Sequence, residues 1–551
     1  MRVPVGRREQ LTRLLSSPWW RGAAVFVAGA LPALAFPAPG LWWFAYVALV
    51  PWLLLTRTAA TGRRAMLDGW LGGTGFMLAM HHWLMPNLHV FILLIAALLG
   101  LLWAPWGWLV RSMLGAAGRA GGAPSASRAA AAIAVLPSGW LMVELVRSWE
   151  GLGGPWGLLG ASQWEVPPAL RLASVGGVWL VSLLVVAVNT AVAVLLAVPT
   201  ARVPAVAGAC ACALAVGAVW LWSPRPERSG DVVRVAVVQP GVVNGVGGAD
   251  RRFARGEQLT RELAGRDVDL VVWGESSVGV DLAARPDYAA RLAAVSREVG
   301  ADVLVNVDAR RSDERPGGPP GGASGRIFKT TVLVGPDGPT GDRYDKMRLV
   351  PFGEYVPARA LLGWATSVGK AAGEDRMRGS RQSVMVLQDG ENRAGLRVGP
   401  LVCFESAFPD MSRRLVRSGT QLLVAQSATS TFQDSWAPAQ HASLAALRAA
   451  ETGRPMVHAT LTGISAVYGP EGEPLGERLG TDARTAAVYE VPLARGTTPY
   501  VRFGDWPVYG ALAVLAALCA SEGLRALRKP APETAVPPAR TAHGSAVRPG
   551  H

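Results

Sequence analysis

Cysteine is scarce in this chain, which has four in 551 residues: Cys210, Cys212, Cys403 and Cys519. Three of them lie in apolar stretches that are predicted to be membrane helices, so Cys403 is the one thiol of the predicted soluble region. This distribution excludes a disulfide framework and a zinc module of the CxxC type. Since a free cysteine is usually a small buried hydrophobe, the residues around Cys403 must decide whether it is a nucleophile.

Histidine is also rare, and acidic residues are outnumbered. The seven histidines form no HExxH or similar ligand spacing, so the sequence predicts no metal site and no cofactor. The 54 basic and 40 acidic residues give a formal net charge of +14. The arginines are scattered, with no basic helix among them. This argues against a nucleic-acid-binding protein and favours loops that face the cytoplasm.

Apolar sequence is what the chain has in excess, with 50% hydrophobic and only 17% charged residues. That balance is typical of membrane spans combined with a soluble part. Crossing a bilayer takes about 20 residues, and eight stretches are long enough or nearly so: 22–38, 41–56, 66–84, 88–110, 129–146, 173–199, 204–222 and 507–524. The first two are short and form either spans or a re-entrant hairpin. The sequence therefore predicts a seven-span membrane domain over 22–222 and a C-terminal transmembrane helix over 507–524.

The basic residues are distributed unevenly between the loops. The N-terminal segment 1–21, the loops after the second and fourth spans, and the tail 525–551 carry arginine, whereas loops 38–41 and 85–88 carry no basic residue. Because basic loops stay on the inner side of a membrane, both termini are predicted to be cytoplasmic. Seven crossings then place the soluble region on the outer face of a multi-pass cell-membrane protein. The tail is rich in Pro, Ala and Thr and is predicted to be disordered.

Residues 231–495 have a different character from the rest of the chain. Short β-rich runs such as "VVRVAVVQP", "VDLVVWGE" and "ADVLVNVD" alternate with helical patterns. Strands that alternate with helices indicate an α/β domain. A Gly- and Pro-rich stretch at 310–326 predicts a flexible surface loop within it.

Charged residues accompany Cys403 at predicted strand ends, where catalytic groups usually lie. Glu275 follows a buried strand in "LVVWGESS", Lys346 and Glu354 share the loop "RYDKMRLVPFGEYVP", and Glu405 lies in "CFESAF". Each alone is equally compatible with an ordinary cap, turn or surface charge. Together they suit a thiol nucleophile, because a carboxylate can take the thiol proton and an ammonium can stabilise the thiolate and a later oxyanion.

A Cys–His pair is the competing catalytic arrangement. The predicted soluble region contains only His441 and His458. His441 lies in the helical pattern "PAQHASLAALRAAETGR", where a structural hydrogen-bonding role is the stronger expectation.

Several strings carry a resemblance to a known family. "WGES", "DRYDKMRLVPFGEYVP", "VCFES" and "PAQHASLAALRAAETGRP" resemble the carbon–nitrogen hydrolase (nitrilase) superfamily. "FPAPGLWWFAYVALVP", "GWLGGTGFMLAMHHWL" and "ELVRSWEGLGGPWGLLGASQ" are similar to its membrane-embedded branch, the apolipoprotein N-acyltransferases. The resemblance runs from about residue 22 to residue 524.

The resemblance implies an αββα sandwich domain joined to a membrane domain of about eight spans. It also implies that Glu275 is the general base, Lys346 the catalytic lysine and Cys403 the nucleophile, with Glu354 and Glu405 in support. Members of that family move an acyl chain from a membrane phospholipid to the α-amino group of the N-terminal diacylglyceryl-cysteine of lipoproteins. A Cys thioester is the expected intermediate.

The chain departs from the family pattern near the nucleophile. Phe404 stands where a tyrosine occurs elsewhere, and Ala428 and Thr429 occupy asparagine positions. Two other functions therefore stay open. One is a membrane-bound amidase or nitrilase-type hydrolase, and the other is a weakly active lipoprotein-binding paralogue. The Gly-rich segment 150–163 is expected either to shape the site or to form a re-entrant connector.

Overall fold

The structure is a computed structural model that describes residues 17–115, 124–243, 245, 247–311, 326–363, 373–387 and 395–528. A helical domain reaches Trp222, an α/β domain runs from Glu227 to Arg495, and two further helices follow. The predicted loop 310–326 lies outside the described residues except at its ends. Of the predicted disordered tail, only residues up to 528 are described.

The helical domain consists of α-helices joined by short loops and 3₁₀ turns. In chain order they are α1 Pro18–Ala30, α2 Val50–Arg57, α3 Gly62–His81, α4 Met85–Leu88, α5 Phe91–Gly100, α6 Ala104–Leu114, α7 Ala126–Arg147, α8 Pro167–Ala197 and α9 Arg202–Trp222.

Among the described residues, five helices are long and apolar enough to cross a membrane: Phe91–Leu114, Ala126–Arg147, Pro167–Ala197, Pro199–Trp222 and Trp506–Leu527. They coincide with five of the eight predicted spans. The predicted spans at 22–38, 41–56 and 66–84 are helical in part. The helices in the first two of these segments are shorter than a membrane span requires. The third segment lies mostly in α3, which is long enough but is made less apolar by Asp68 and two arginines. The count of eight therefore stays a prediction.

Glycines and tryptophans pack the centre of the helical domain. A Cβ on Gly69 or Gly73 of α3 would lie 2.3 and 2.7 Å from the carbonyl oxygens of Trp103 and Gly100, so the backbones approach closely there. Beside α3, Trp52 and Trp140 meet Trp106 edge to face, with ring centroids 5.1 and 5.2 Å apart. Small residues thus admit a compact aromatic core.

The α/β domain contains two β-sheets. The strands are β1 Glu227–Gln239, β2 Leu270–Trp273, β3 Asp302–Arg311, β4 Arg326–Gly335, β5 Gly338–Asp345, β6 Met385–Val386, β7 Arg397–Val402, β8 Leu422–Ser427, β9 Met456–Thr460, β10 Ala466–Tyr468 and β11 Thr485–Arg495. The helices are α10 Gly248–Arg261, α11 Pro286–Val299, α12 Arg359–Leu362, α13 Pro409–Arg417 and α14 Ala437–Thr452, followed by α15 Pro499–Phe503 and α16 Trp506–Leu527.

The two sheets face each other between helices. The six-stranded sheet has the order β11-β1-β2-β3-β4-β5 and the five-stranded sheet the order β10-β9-β8-β7-β6. Alternate residues of β1 face opposite sides, so Val235 packs between the sheets while Ala236 packs under α10 and α11. The outer side of the second sheet, with α13 and α14, joins the core of the helical domain. This is the predicted αββα sandwich.

Candidate active site

Three strands of the sandwich end at one edge and carry the predicted catalytic residues. Glu275 follows β2, Lys346 follows β5 and Cys403 follows β7. β3 runs parallel to β2, and two antiparallel reversals make β5 parallel to β3, so the ends of β2 and β5 point the same way. The sheets meet closely here, because Gln426 Nε2 of β8 donates to the carbonyl of Trp273 at 2.8 Å.

The backbone of Cys403 has an unusual conformation. Its φ is +51°, a region that non-glycine residues rarely adopt, and it begins the 3₁₀ turn Cys403–Ala407. Strained residues of this kind concentrate at functional sites. Cys403 as a whole residue is partly exposed.

Glu405 fixes the turn that carries Cys403. Its Oε1 accepts hydrogen bonds from the Tyr344 hydroxyl at 2.7 Å and from the backbone N–H groups of Met347 and Arg348 at 2.8 and 3.0 Å. Its Oε2 accepts from the N–H of Val402 at 2.8 Å. Glu405 therefore connects the end of β7 to the loop after β5.

Lys346 lies between two carboxylates and is fully buried. Its Nζ is 2.8 Å from Glu354 Oε1 and 3.1 Å from Glu275 Oε1. Glu354 in turn accepts the N–H of Val350 on Oε2 at 2.8 Å. Glu275 also acts on the Cys403 thiol, because its negative charge raises the pKa of that thiol. Lys346 thus joins Glu275 and Glu354 in one cluster, while Glu405 lies beside it and bonds to the residues that flank Lys346 and Cys403.

Lys329 is a site residue that the sequence interpretation missed. Its Nζ lies 2.8 Å from Glu275 Oε1, the same oxygen that Lys346 contacts, and 3.4 Å from Glu354 Oε1. It comes from the middle of β4, where no motif marks it. One sequence signal was available: the chain has four lysines, Lys329, Lys346, Lys370 and Lys529, and arginine everywhere else.

The charges of the cluster set its protonation at rest. Burial raises the pKa of Glu275, but Lys329 and Lys346 outweigh that effect and hold it at about 2. Burial, followed by the charge of Glu275, raises the pKa of the Cys403 thiol to about 12, against the lowering effect of Lys346. Glu275 is therefore ionised and Cys403 is a neutral thiol at neutral pH, which is the state a general base requires before it accepts a proton.

His441 contacts the backbone of the nucleophile and not its sulfur. Its Nε2 donates to the carbonyl oxygen of Cys403 at 3.1 Å and lies 3.1 Å from Ser406 Oγ. Burial lowers the pKa of His441 to about 4, so the ring is neutral at neutral pH. The expectation of a structural hydrogen-bonding role agrees with this geometry, and the geometry disfavours a Cys–His mechanism.

The segment 150–163 packs against the site. A Cβ on Gly154, whose φ is +68°, would lie 2.5 Å from the Phe404 ring, so only glycine fits there. Trp156 lies 5.3 Å from the His441 ring and donates to Gln440 Oε1 at 2.8 Å. The helical domain therefore forms one side of the nucleophile's surroundings.

The departures from the family pattern occupy packed positions. Phe404 is 7% exposed and meets Phe408 edge to face at 4.9 Å, a setting with apolar neighbours. Thr429 donates its hydroxyl to the carbonyl of Thr462 at 3.0 Å, while Ala428 is partly exposed. Within the described ranges, no group of three or more His, Cys, Asp and Glu residues is arranged to hold a metal ion.

Known proteins match most of the length of this chain, including both domains. Residues 28–191 match the family model described as the apolipoprotein N-acyltransferase N-terminal domain, and residues 234–498 match the carbon-nitrogen hydrolase model. The apolipoprotein N-acyltransferase of Azotobacter vinelandii is 32% identical over 91% of this chain and 95% of its own. That of Geobacter metallireducens is 29% identical, over 89% and 94%.

One solved structure resembles about half of the chain. A cysteine-to-serine mutant of an amidase from Nesterenkonia AN1, of the nitrilase superfamily, is 19% identical. The match covers 51% of this chain and 97% of the amidase, with a TM-score of 0.33.

Proposed function

The chain belongs to the apolipoprotein N-acyltransferase family, and on that premise we propose that this acyltransferase loads an acyl chain on Cys403 and passes it to a lipoprotein amine. The observation that carries the proposal is the cluster in which Glu275, bound by Lys346 at 3.1 Å, acts on the proton affinity of the Cys403 thiol. The proposed donor is a membrane phospholipid, and the proposed acceptor is the α-amino group of the N-terminal diacylglyceryl-cysteine.

In the first half-reaction, Cys403 Sγ forms a bond to the ester carbonyl carbon of the donor while Glu275 takes the thiol proton. Lys346 stabilises the negative charge on sulfur and then on the carbonyl oxygen. The C–O ester bond breaks and Glu275 returns the proton to the departing lyso-lipid oxygen. A thioester on Cys403 remains.

In the second half-reaction, the lipoprotein amine attacks the thioester carbon. Glu275 takes one proton from the attacking nitrogen, the C–S bond breaks, and the proton passes to the departing sulfur. An amide and the original thiol result. Glu275 therefore serves as base and acid once in each half, and no external proton carrier is needed.

We also propose eight spans with the α/β domain on the outer face and both termini inside. The positions of the arginines support this orientation. Arg57 donates to the last residue of α8, Ala197, at 3.4 Å, and Arg111 donates to Ala59 at 2.7 Å. The other end of α8 lies against the α/β domain, where a Cβ on Gly472 would be 3.1 Å from Leu170. These arginines thus gather at the end of the bundle away from the α/β domain.

The acyl-enzyme is the intermediate that tests the chemistry. After incubation of the full chain with phospholipid, a peptide containing Cys403 should gain one acyl mass that hydroxylamine removes. Cys403→Ser should lose most turnover, because a serine hydroxyl is far harder to ionise than a thiol. Peptide mass spectrometry and a turnover assay measure both effects.

Cys519→Ser is the matched control, because Cys519 lies exposed on α16 and outside the cluster. This variant should be labelled and active like the natural chain. Acyl label on Cys210, Cys212 or Cys519 would refute the role of Cys403. Release of free fatty acid in place of acylated amine, with a diacylglyceryl-cysteine peptide present, would indicate a hydrolase.

A further inference from the structure

A cavity lies where the helical domain meets the α/β domain. Its volume is about 280 Å³, and its walls come from residues before and at the start of α8, the end of α9 and the loop at 470–478. Glu275, Lys346 and Cys403 do not line it. Ala450 of α14 does, and it follows His441 by nine residues, or about 13 Å along the helix axis. The cavity is therefore separate from the nucleophile's turn.

The cavity lies level with the ends of two helices that are long and apolar enough to cross a membrane. α8 begins at Pro167 and the antiparallel α9 ends at Trp222, so both helix ends lie at the level of the cavity. Two tryptophans, Trp164 and Trp220, form part of its wall. Tryptophan is enriched where a membrane meets water.

Charges of both signs line the cavity. Arg171 is 6% exposed and donates from Nη2 to the carbonyl of Ser223, while its Nε has no hydrogen-bond partner within the described part of the chain. Arg478 is exposed and stacks on Trp164 at 5.1 Å from the ring centroid. Glu471 and Glu473 lie in the same wall.

Glu473 is less exposed than Glu471 in the cavity wall. Glu473 Oε2 accepts the N–H of Glu471 at 2.9 Å, and Arg228 lies 3.5 Å from Oε1. Burial raises the pKa of Glu473, so a bound cation would relieve the cost of its charge. A ligand with separate anionic and cationic groups would match the arginines and the glutamates at once.

We propose that this cavity binds the head group of a bilayer phospholipid that carries both a phosphate and an amine. The phosphate lies toward Arg171 and Arg478, and the ammonium lies toward Glu471 and Glu473. The cavity is too small for a whole lipid, so the acyl chains run along the exposed apolar side of α9, where Leu214 and Leu221 are 73% and 71% exposed. This lipid is a bound neighbour and not the acyl donor. The proposal depends on α8 and α9 crossing a membrane and not on chemistry at Cys403.

Native mass spectrometry of the full chain tests the site. A Cys403→Ala background prevents consumption of lipid. In nanodiscs of phosphatidylethanolamine mixed with phosphatidylcholine, the chain should retain one phosphatidylethanolamine after release. Arg478→Glu should lower that occupancy roughly tenfold, as expected for the loss of a charge-assisted phosphate contact. Arg171→Gln should act in the same direction. Since Arg478 is exposed, its variant decides the test even if Arg171→Gln fails to fold.

Arg484→Glu is the matched control, because Arg484 is an exposed arginine of the same domain that does not line the cavity. Its retained lipid should equal that of the parent. Equal retention in Arg478→Glu, or equal retention of phosphatidylglycerol, would overturn the proposal. Full competition by soluble phosphoethanolamine would assign the site to a small metabolite and also overturn it. With Cys403 present, Arg478→Glu should still form the acyl-enzyme, which separates this site from the proposed function.

Discussion

Lys329 and Lys346 both contact the same oxygen of Glu275, Oε1, but their other contacts differ. Lys346 is enclosed between Glu275 and Glu354, whereas Lys329 also contacts Ser276 Oγ at 3.1 Å and lies 3.7 Å from Asp308. Three carboxylates and two ammonium groups therefore form one network of ion pairs. Removal of either cation changes the proton affinity of the thiol and of Glu275 together.

Lys329→Met should slow alkylation of Cys403 by iodoacetamide at every pH below about 12. Burial raises the pKa of the natural thiol to about 12, and Lys329 works against that rise. Because the variant loses this cation, the thiol pKa should rise further, and the profile should shift upward by about one pH unit. Lys346→Met should shift it in the same direction and cost about 10²–10³ in turnover, as for loss of an oxyanion donor.

Glu275→Gln should change the pKa of the Cys403 thiol in the opposite direction, that is, lower it. It removes a negative charge beside the thiol, so alkylation should become faster at a given pH while acyl-enzyme formation fails. If the pH dependence of Cys403 alkylation is unchanged in Lys329→Met, then Lys329 has no effect on the thiol and only packs beside the cluster.

The residues of the site differed in how far the sequence predicted them. Cys403, Glu275 and Lys346 stand in recognisable strings at strand ends, and the structure brings them together. Lys329 reaches the site only because β4 pairs with β3 in the register that sets Lys329 opposite Asp308. Register is a property of the folded sheet, and local sequence does not encode it.

At the scale of elements, α8 is not continuous. Gly176 and Gly177 leave the helical conformation, with a φ of +68° at Gly177, and a Cβ there would lie 2.6 Å from the Tyr500 ring. The N–H of Val178, freed by the break, donates to Glu451 Oε1 of α14 at 2.7 Å. The sequence predicted one uninterrupted span at 173–199, because the partner that satisfies the break comes from a distant part of the chain.

Glu451 and Arg448 continue this connection to the nucleophile's turn. Arg448 Nη2 is 3.0 Å from Glu451 Oε1, and Nη1 donates to the carbonyl of Ala407 at 3.2 Å. Ala407 ends the turn that begins at Cys403. One buried ion pair therefore joins the broken helix α8 to the turn that begins at Cys403.

Arg448→Met should lower the free energy of unfolding by about 3–5 kcal/mol at pH 8, because it leaves the Glu451 carboxylate buried without its cation. Burial raises the pKa of Glu451 to about 7 even with Arg448 present. A carboxyl group whose folded pKa is raised favours folding at low pH and loses that contribution as pH rises. The deficit of the variant should therefore shrink toward pH 5. Thermal unfolding between pH 5 and pH 8 measures it.

Arg454→Met serves as the comparison, since Arg454 is also buried but donates to the backbone carbonyls of Thr420 and Gly496. The free energy of unfolding that Arg454→Met loses should change little between pH 5 and pH 8. A pH-independent deficit in Arg448→Met would contradict the assigned pairing. The same variant should also slow acylation of Cys403, because the carbonyl of Ala407 loses its donor.

At the scale of the whole molecule, Arg57 and Arg111 mark one end of the helical bundle, and the α/β domain lies at the other end. A reporter that is active only outside the cytoplasm should be active when fused after Pro224. The same reporter fused after Lys529 should be silent, because an eighth crossing returns the chain to the inside. The reverse pattern would overturn the proposed orientation and the access of lipoproteins to the site.

The carboxylate partners of the two site lysines also bear on the lifetime of the enzyme. A thioester is captured by any neutral amine beside it, and a lysine acylated in this way would be a dead end. The carboxylates of Glu275 and Glu354 counter the effect of burial and raise the pKa of Lys346 well above its usual value, and the pKa of Lys329 is raised as well. Both nitrogens therefore stay protonated, without a lone pair for attack. An incoming α-amine, with a pKa near 8, is the neutral nucleophile at hand. In the proposed mechanism, the same ion pairs that surround Glu275 would thus suppress self-inactivation.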